Sequence, residues 1–162
     1  MKRVLNVLLL FSVVFLTTSA TWWGWERRGE YNPIFMERAE LERSVAYQSE
    51  PQELINPGKI YHKHPYIYIN ERYKGVHVIN NSNPASPVNE GFIRVPGCLD
   101  MAIKGDILYL DNAVDLVAFD LTAKQVSHRE KNVFPEPLSP TNDYYYGNRP
   151  KNYILIEWKK NN

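Results

Sequence analysis

The run GVHVIN, Gly75 to Asn80, cannot be a strand with one wet side. Val76 and Val78 would point one way and His77 and Ile79 the other, and only the histidine is polar. Such a strand needs cover on both faces, as in a sheet packed between other layers. ILYLD (Ile107 to Asp111) and LVAFD (Leu116 to Asp120) have the same two-sided character. Turn chemistry follows each unit: Asn80 or Asp120 can close an Asx-type turn, and NPASP fixes φ at two prolines.

These strands also recur. KHPYIYIN (Lys63 to Asn70) matches KGDILYLD (Lys104 to Asp111) by residue class at an offset of 41, and GVHVINNS matches DLVAFDLT, from Asp115, at 40. KIYHK and GFIRV complete a unit of short strands separated by HP, ERYKG and NSNPASPVNE. A four-stranded unit repeating every ~40–45 residues has the period of a β-propeller blade. The expected fold is therefore all-β: two four-stranded antiparallel propeller-type blades, a partial propeller, with a short N-terminal helix. Closed propellers have about 4–8 blades, so two repeats fit a piece of a longer protein, a compact sandwich of two sheets with flanks, or a ring completed by several chains.

The expected organisation is a signal peptide over 1–20, a leader with a short helix over 21–57, a first blade over 58–97, and a second blade with a C-terminal strand over 98–162. In the leader, Asn32 and Pro33 offer a helix start, and Met36, Leu41, Val45 and Tyr47 follow at roughly helical spacing. Trp22, Trp23 and Trp25 with Arg27 and Arg28 precede it without a regular pattern. Tyr153 to Trp158 reads as a strand that pairs back to finish the second blade.

Lys2 and Arg3, an apolar stretch from Val4 to Leu16 and the small residues TTSA compose a secretory signal with cleavage after Ala20. The exported chain would be periplasmic, on the cell surface or extracellular, with no stable membrane insertion of the mature part. Cleavage removes two basic residues, leaving 17 against 18 acidic ones, a net charge of −1 that offers nothing to nucleic acid. Cys98, the one cysteine, cannot form an internal disulfide and reads as a small buried hydrophobe.

GVHVIN and DLVAFD resemble degenerate copies of the LVIVD repeat, and the run from Ile55 to Leu121 resembles LVIVD-repeat propeller proteins exported by Bacteroidetes. The resemblance covers about Tyr31 to Phe134 and is strongest over Gly58 to Leu121. It implies a propeller-type fold outside the cytoplasm, and no catalytic residues carry over from it.

The residues themselves offer several sites. His62 and His64 could share a strand face, but Pro65 follows and no third metal ligand is spaced nearby, so no metal and no cofactor is expected. Glu71, Arg72 and Lys74 sit on a predicted hairpin tip of the kind that forms a binding rim, and Tyr144, Tyr145 and Tyr146 beside Arg149 could stack on a sugar ring or a protein partner. Asp100, Asp106, Asp111, Asp115 and Asp120 lack both a calcium-loop pattern and the paired spacing of a glycosidase, and they read as turn caps. No Ser-His-Asp elbow, phosphate loop or CxxC pair is present.

Two functions follow. The first is a non-enzymatic binding or scaffold module at the cell envelope, with a protein or glycan partner and scope for self-association. The second is a carboxylate-dependent hydrolase or lyase acting on an envelope polysaccharide. In either, Ile67, Ile69, Val76, Val78, Leu108, Leu110, Leu116 and Phe119 cannot all be covered by two blades, so the N-terminal helix and the last strand are expected to pack on them.

Overall fold

The computed structural model describes residues 29–142 and 147–161. The segment expected to be a signal peptide, the tryptophan-rich start of the leader and Tyr144 to Tyr146 lie outside the described residues.

The described chain is mostly β, in antiparallel sheets that stay open. Strand β1 (Tyr31–Glu37), helix α1 (Arg38–Arg43) and β2 (Ala46–Gln48) come first. Then β3 (Pro57–Lys63), β4 (Tyr66–Glu71), β5 (Gly75–Asn80) and β6 (Val88–Arg94) run as a meander, and β2 adds to β6 to make a five-stranded sheet in the order β2-β6-β5-β4-β3. A second meander, β7 (Met101–Lys104), β8 (Ile107–Asn112), β9 (Asp115–Asp120) and β10 (Gln125–Glu130), makes a four-stranded sheet. The matched sequence runs thus become β4 with β8 and β5 with β9.

The sheets stack face to face over one core. Tyr68, Val76, Val78 and Ile93 of the first sheet meet Met101, Leu108, Leu110 and Phe119 of the second. Strand register assigns the faces: Tyr68 is opposite Val78 on the inner side, whereas Ile69 is opposite His77 on the outer side. In the second sheet, Leu108 opposite Phe119 faces inward, and Tyr109 opposite Ala118 faces outward. The edges are tied as well. Lys59 pairs with Asp100 at 2.8 Å, Lys63 with Asp106 at 2.5 Å, and Tyr61 Oη donates to Ile103 O at 3.3 Å. At the other edge, the Lys124 ammonium sits 4.1 Å over the Tyr47 ring.

The link between the sheets needs glycine at one point. Gly97 has φ 80°, and a Cβ there would lie 2.8 Å from that of Ala113, on the β8–β9 turn.

Three expectations are corrected. The strand β11 (Tyr153–Lys160) pairs with β1 rather than with the second sheet, which is already complete at β10. The helix is confined to Arg38–Arg43, because Tyr31–Glu37 finds a strand partner in β11 and Ala46–Gln48 finds one in β6. Pro33, read as a helix start, instead sits in a two-stranded ribbon, where its missing N–H is tolerated.

The third correction concerns cover. The helix and the β1–β11 ribbon form their own small core, Leu41, Met36, Ile154 and Ile156 on Ala113, rather than covering the sheet faces. The outer face of the first sheet is crossed by residues 49–56, which join edge strand β2 to the opposite edge β3. Asn89 Nδ2 donates to Gln52 O at 3.3 Å, and the Glu71 carboxylate accepts from Ile55 N and Asn56 N, along that crossing. The second sheet's outer face meets a proline-rich strap, Phe134 to Pro140, held by Phe134 N to Val114 O at 3.0 Å and by Trp158 Nε1 to Pro137 O at 2.8 Å.

Candidate functional site

A groove of ≈ 760 Å³ lies between the outer face of the second sheet and the strap. Ala102, Tyr109 and Leu116 form its floor, Phe134 and Leu138 its strap wall, and Arg72 and Asp111 its polar margin. A smaller hollow of ≈ 380 Å³ lies on the other side of the strap, between Phe35, Arg149, Leu155 and Trp158. Glu136, Pro137 and Leu138 border both. An apolar floor with few polar groups at the rim suits an apolar or aromatic-rich ligand.

The hairpin residues divide. Glu71 is buried and not on the solvent tip: it accepts from Ile55 N at 3.1 Å and Asn56 N at 2.5 Å, and it lies 3.2 Å from His77 Nε2. Burial pushes its carboxyl up, but the Asn56 and Ile55 amides and the His77 ring outweigh that and hold it below the usual range. The local charge pattern ERYK concealed this role, because its first acid belongs to the strand end and not to the turn. Lys74 pairs with Glu157 at 2.6 Å, and Arg72 alone of the three borders the groove.

Arg149 is a brace. It donates from Nε to Tyr153 O at 2.7 Å, pairs with Glu136 at 2.6 Å and lies 5.3 Å over the Phe35 ring. It thereby fixes the strap against the β1–β11 ribbon, and its guanidinium is committed there. The three tyrosines expected beside it fall outside the described residues.

The aspartates of the second repeat each hold part of the fold. Asp100 and Asp106 take the lysines of β3, and Asp120 Oδ1 accepts from Thr122 N and Ala123 N at 2.8 Å. Asp111 Oδ1 accepts from Leu99 N at 2.8 Å and Asp100 N at 2.9 Å. Burial raises the Asp111 carboxyl above its ordinary range, outweighing those amides and the Cys98 thiol. Cys98 itself is buried, and desolvation with the neighbouring Asp111 keeps its thiol protonated, unlike a nucleophile.

Asp115 does more than cap a turn. Its fully buried carboxylate pairs with Arg38 at 2.9 Å and Arg129 at 2.7 Å and accepts from Asn132 N at 3.0 Å. Arg129 also donates to Asn112 Oδ1 at 2.7 Å and reaches Leu41 O and Glu42 O. This network fastens the helix to the second sheet. Sequence reasoning missed it because Arg38 lies 77 residues from Asp115, with no local pattern to join them.

His62 and His64 are exposed on β3 and just past it, and among the described residues no three His, Cys, Asp or Glu side chains converge on a metal position. Among the described residues no helix is long and apolar enough to cross a membrane. No protein-family model, curated protein or solved structure matches the chain.

Proposed function

We propose that the chain is a non-enzymatic, exported binding or scaffold module of two propeller-type blades, which uses its outer sheet faces to hold a protein or glycan partner at the cell envelope. The observation that carries this reading is the reuse of faces. Tyr68, on the inner face of the first sheet, corresponds at the repeat offset of 41 to Tyr109, on the outer face of the second. Likewise Val76 and Val78 correspond at 40 to Leu116 and Ala118, which face outward, while Ile67 and Ile69 correspond to Leu108 and Leu110, which face inward. A two-fold sandwich would place matching residues on both sides of its core. Successive blades of a propeller place opposite faces of the repeat in contact, and the opposite faces meeting between these two sheets support that reading. The face that meets the other sheet in the first unit thus lines the groove beneath the strap in the second.

The competing reading, a carboxylate-dependent hydrolase or lyase, would have to act through Asp111, the raised carboxyl at the groove's edge. Its two backbone donors give it an anchoring role instead. The test is incubation of the purified exported chain with native envelope polysaccharides and envelope proteins. Retention of one of them with its mass unchanged is the expected result. Release of shorter saccharides, lost in Asp111→Asn, would overturn the reading.

A further inference from the structure

Donors and acceptors around the groove beneath the strap do not balance. Three carboxylates border it, those of Asp100, Asp111 and Glu136, and each already has its partners. Asp100 pairs with Lys59 at 2.8 Å and accepts from Met101 N at 2.7 Å. Asp111 accepts from the amides of Leu99 and Asp100 and from the Cys98 thiol. Both oxygens of Glu136 are held by Arg149, at 2.6 and 2.9 Å. Arg72 is the one basic residue among the described residues at the groove. It is exposed, and its guanidinium makes no hydrogen bond or ion pair among the described residues. The Tyr109 phenol on the floor has no hydrogen-bond partner among them either. What the groove lacks is an acceptor, and a negatively charged one suits a free guanidinium best.

The walls define the body of such a ligand. Ala102, Leu116, Phe134 and Leu138 offer hydrocarbon and no polar side-chain atom, so the ring hydroxyls of a sugar would give up water there without return. The strap adds a different demand. Pro135, Pro137 and Pro140 have no N–H, and Phe134 N is already bonded to Val114 O at 3.0 Å, so the strap backbone holds more acceptors than donors. A hydrocarbon chain has nothing to give those carbonyls, whereas a peptide brings amide N–H groups.

We propose that the groove captures the C-terminal end of a partner protein, its terminal carboxylate paired with Arg72 and its last apolar side chains packed on Leu116, Phe134 and Leu138. The planar guanidinium presents N–H groups in a fork that matches a carboxylate, and capture of a C-terminal carboxylate is a recurring mode of peptide recognition. This deepens the binding reading above and rests on it, choosing protein over glycan.

The test titrates the purified chain, by fluorescence anisotropy, into labelled short peptides ending in leucine, valine or phenylalanine, each made with a free C-terminal carboxylate and as the amide. The acid forms are expected to bind about tenfold more tightly than the amides, the worth of one charge-assisted pair at a solvated rim. In Arg72→Gln that preference is expected to vanish while amide binding stays as it was. The Arg72 side chain is exposed and unpaired among the described residues, so this variant should keep the parent's unfolding curve. Leu138→Ser, at a wall position that is 76% exposed, is expected to weaken both forms alike. Equal binding of acids and amides, a preference that survives Arg72→Gln, or binding untouched by Leu138→Ser overturns the inference. So does binding of uronate oligosaccharides or of laurate with none of the peptides bound. The wider binding reading fails separately, by release of shorter saccharides in the envelope incubation.

Discussion

Tyr68 and Tyr109 hold the same place in the two repeats, yet Tyr68 is buried between the sheets and Tyr109 lies on the far side of the second sheet, at the groove. The same residue type is thus core in one copy and groove floor in the other. A second correspondence fixes the alignment of the units. Glu71 accepts from Ile55 N, and Asn112 donates to Pro96 O, each bond joining the end of a unit's second strand to the backbone 16 residues earlier. In both sheets that polar side chain anchors the segment arriving at the unit's first strand.

Removing the Glu71 anchor should therefore be costly. Glu71→Ala leaves two amides and the His77 ring without their acceptor, and the expected loss is about 2–3 kcal/mol in urea unfolding. The pH dependence has a defined sign. Because the folded-state carboxyl is held below its ordinary value, its contribution is present above the unfolded carboxyl's pKa and is lost as pH falls through the lower folded value. The variant should lack that acid-side slope, and a slope equal to the parent's would count against the anchor.

The Asp115 network predicts a larger effect. Asp115→Asn removes the charge that Arg38 and Arg129 share in a buried site, and breaking such a pair from one side costs about 3–5 kcal/mol. Glu42→Gln, which removes a solvent-screened partner of Arg38 and Lys131, should cost far less. Chemical denaturation of both variants checks the ranking.

Leu41→Ala tests the small core under the helix. Leu41 is fully buried against Ala113 and Ile156, so the expected destabilisation is about 2–5 kcal/mol. If the helix and ribbon dock as one unit, limited proteolysis of this variant should cut first near residues 38–46, with the sheets still protected.

How much of this was legible depended on how local the signal was. Strands β4, β5, β8 and β9 were readable because their two-sided apolar runs leave no other placement, and their 40-residue echo marked them as repeats. The β1–β11 ribbon was not, since Met36 fits a helical spacing with Leu41 and Val45 while its strand partner, Ile154, lies over a hundred residues on. Glu71 looked like a loop charge because its neighbours are charged, while its partners, the amides of Ile55 and Asn56, carry no sequence signature. The groove was hidden for a related reason: Tyr109 reads as core by analogy with Tyr68, and only the stacking order turns it outward.

Alkaline pH tests the burial of Tyr68. Burial pushes the Tyr68 phenol up to about 12, above its unfolded value of about 10. Its contribution to stability is complete below the unfolded value and declines as pH rises toward 12, by at most about 1.4 kcal/mol per pH unit. Tyr68→Phe should flatten that decline, measured by urea unfolding between those pH values, and a decline as steep as the parent's would count against burial of its phenol.

The stacking of opposite repeat faces is the claim on which the groove and the binding reading depend, and nuclear Overhauser contacts between methyl and aromatic groups test it most directly. Val76 and Val78 should show cross-peaks to Leu108, Leu110 and Phe119 within one molecule, and Ile67 and Ile69 should show none to those three at concentrations where the chain is monomeric. Cross-peaks from Ile67 and Ile69 to Leu108 and Leu110, with none from the two valines, would mean that like faces meet and would contradict the account.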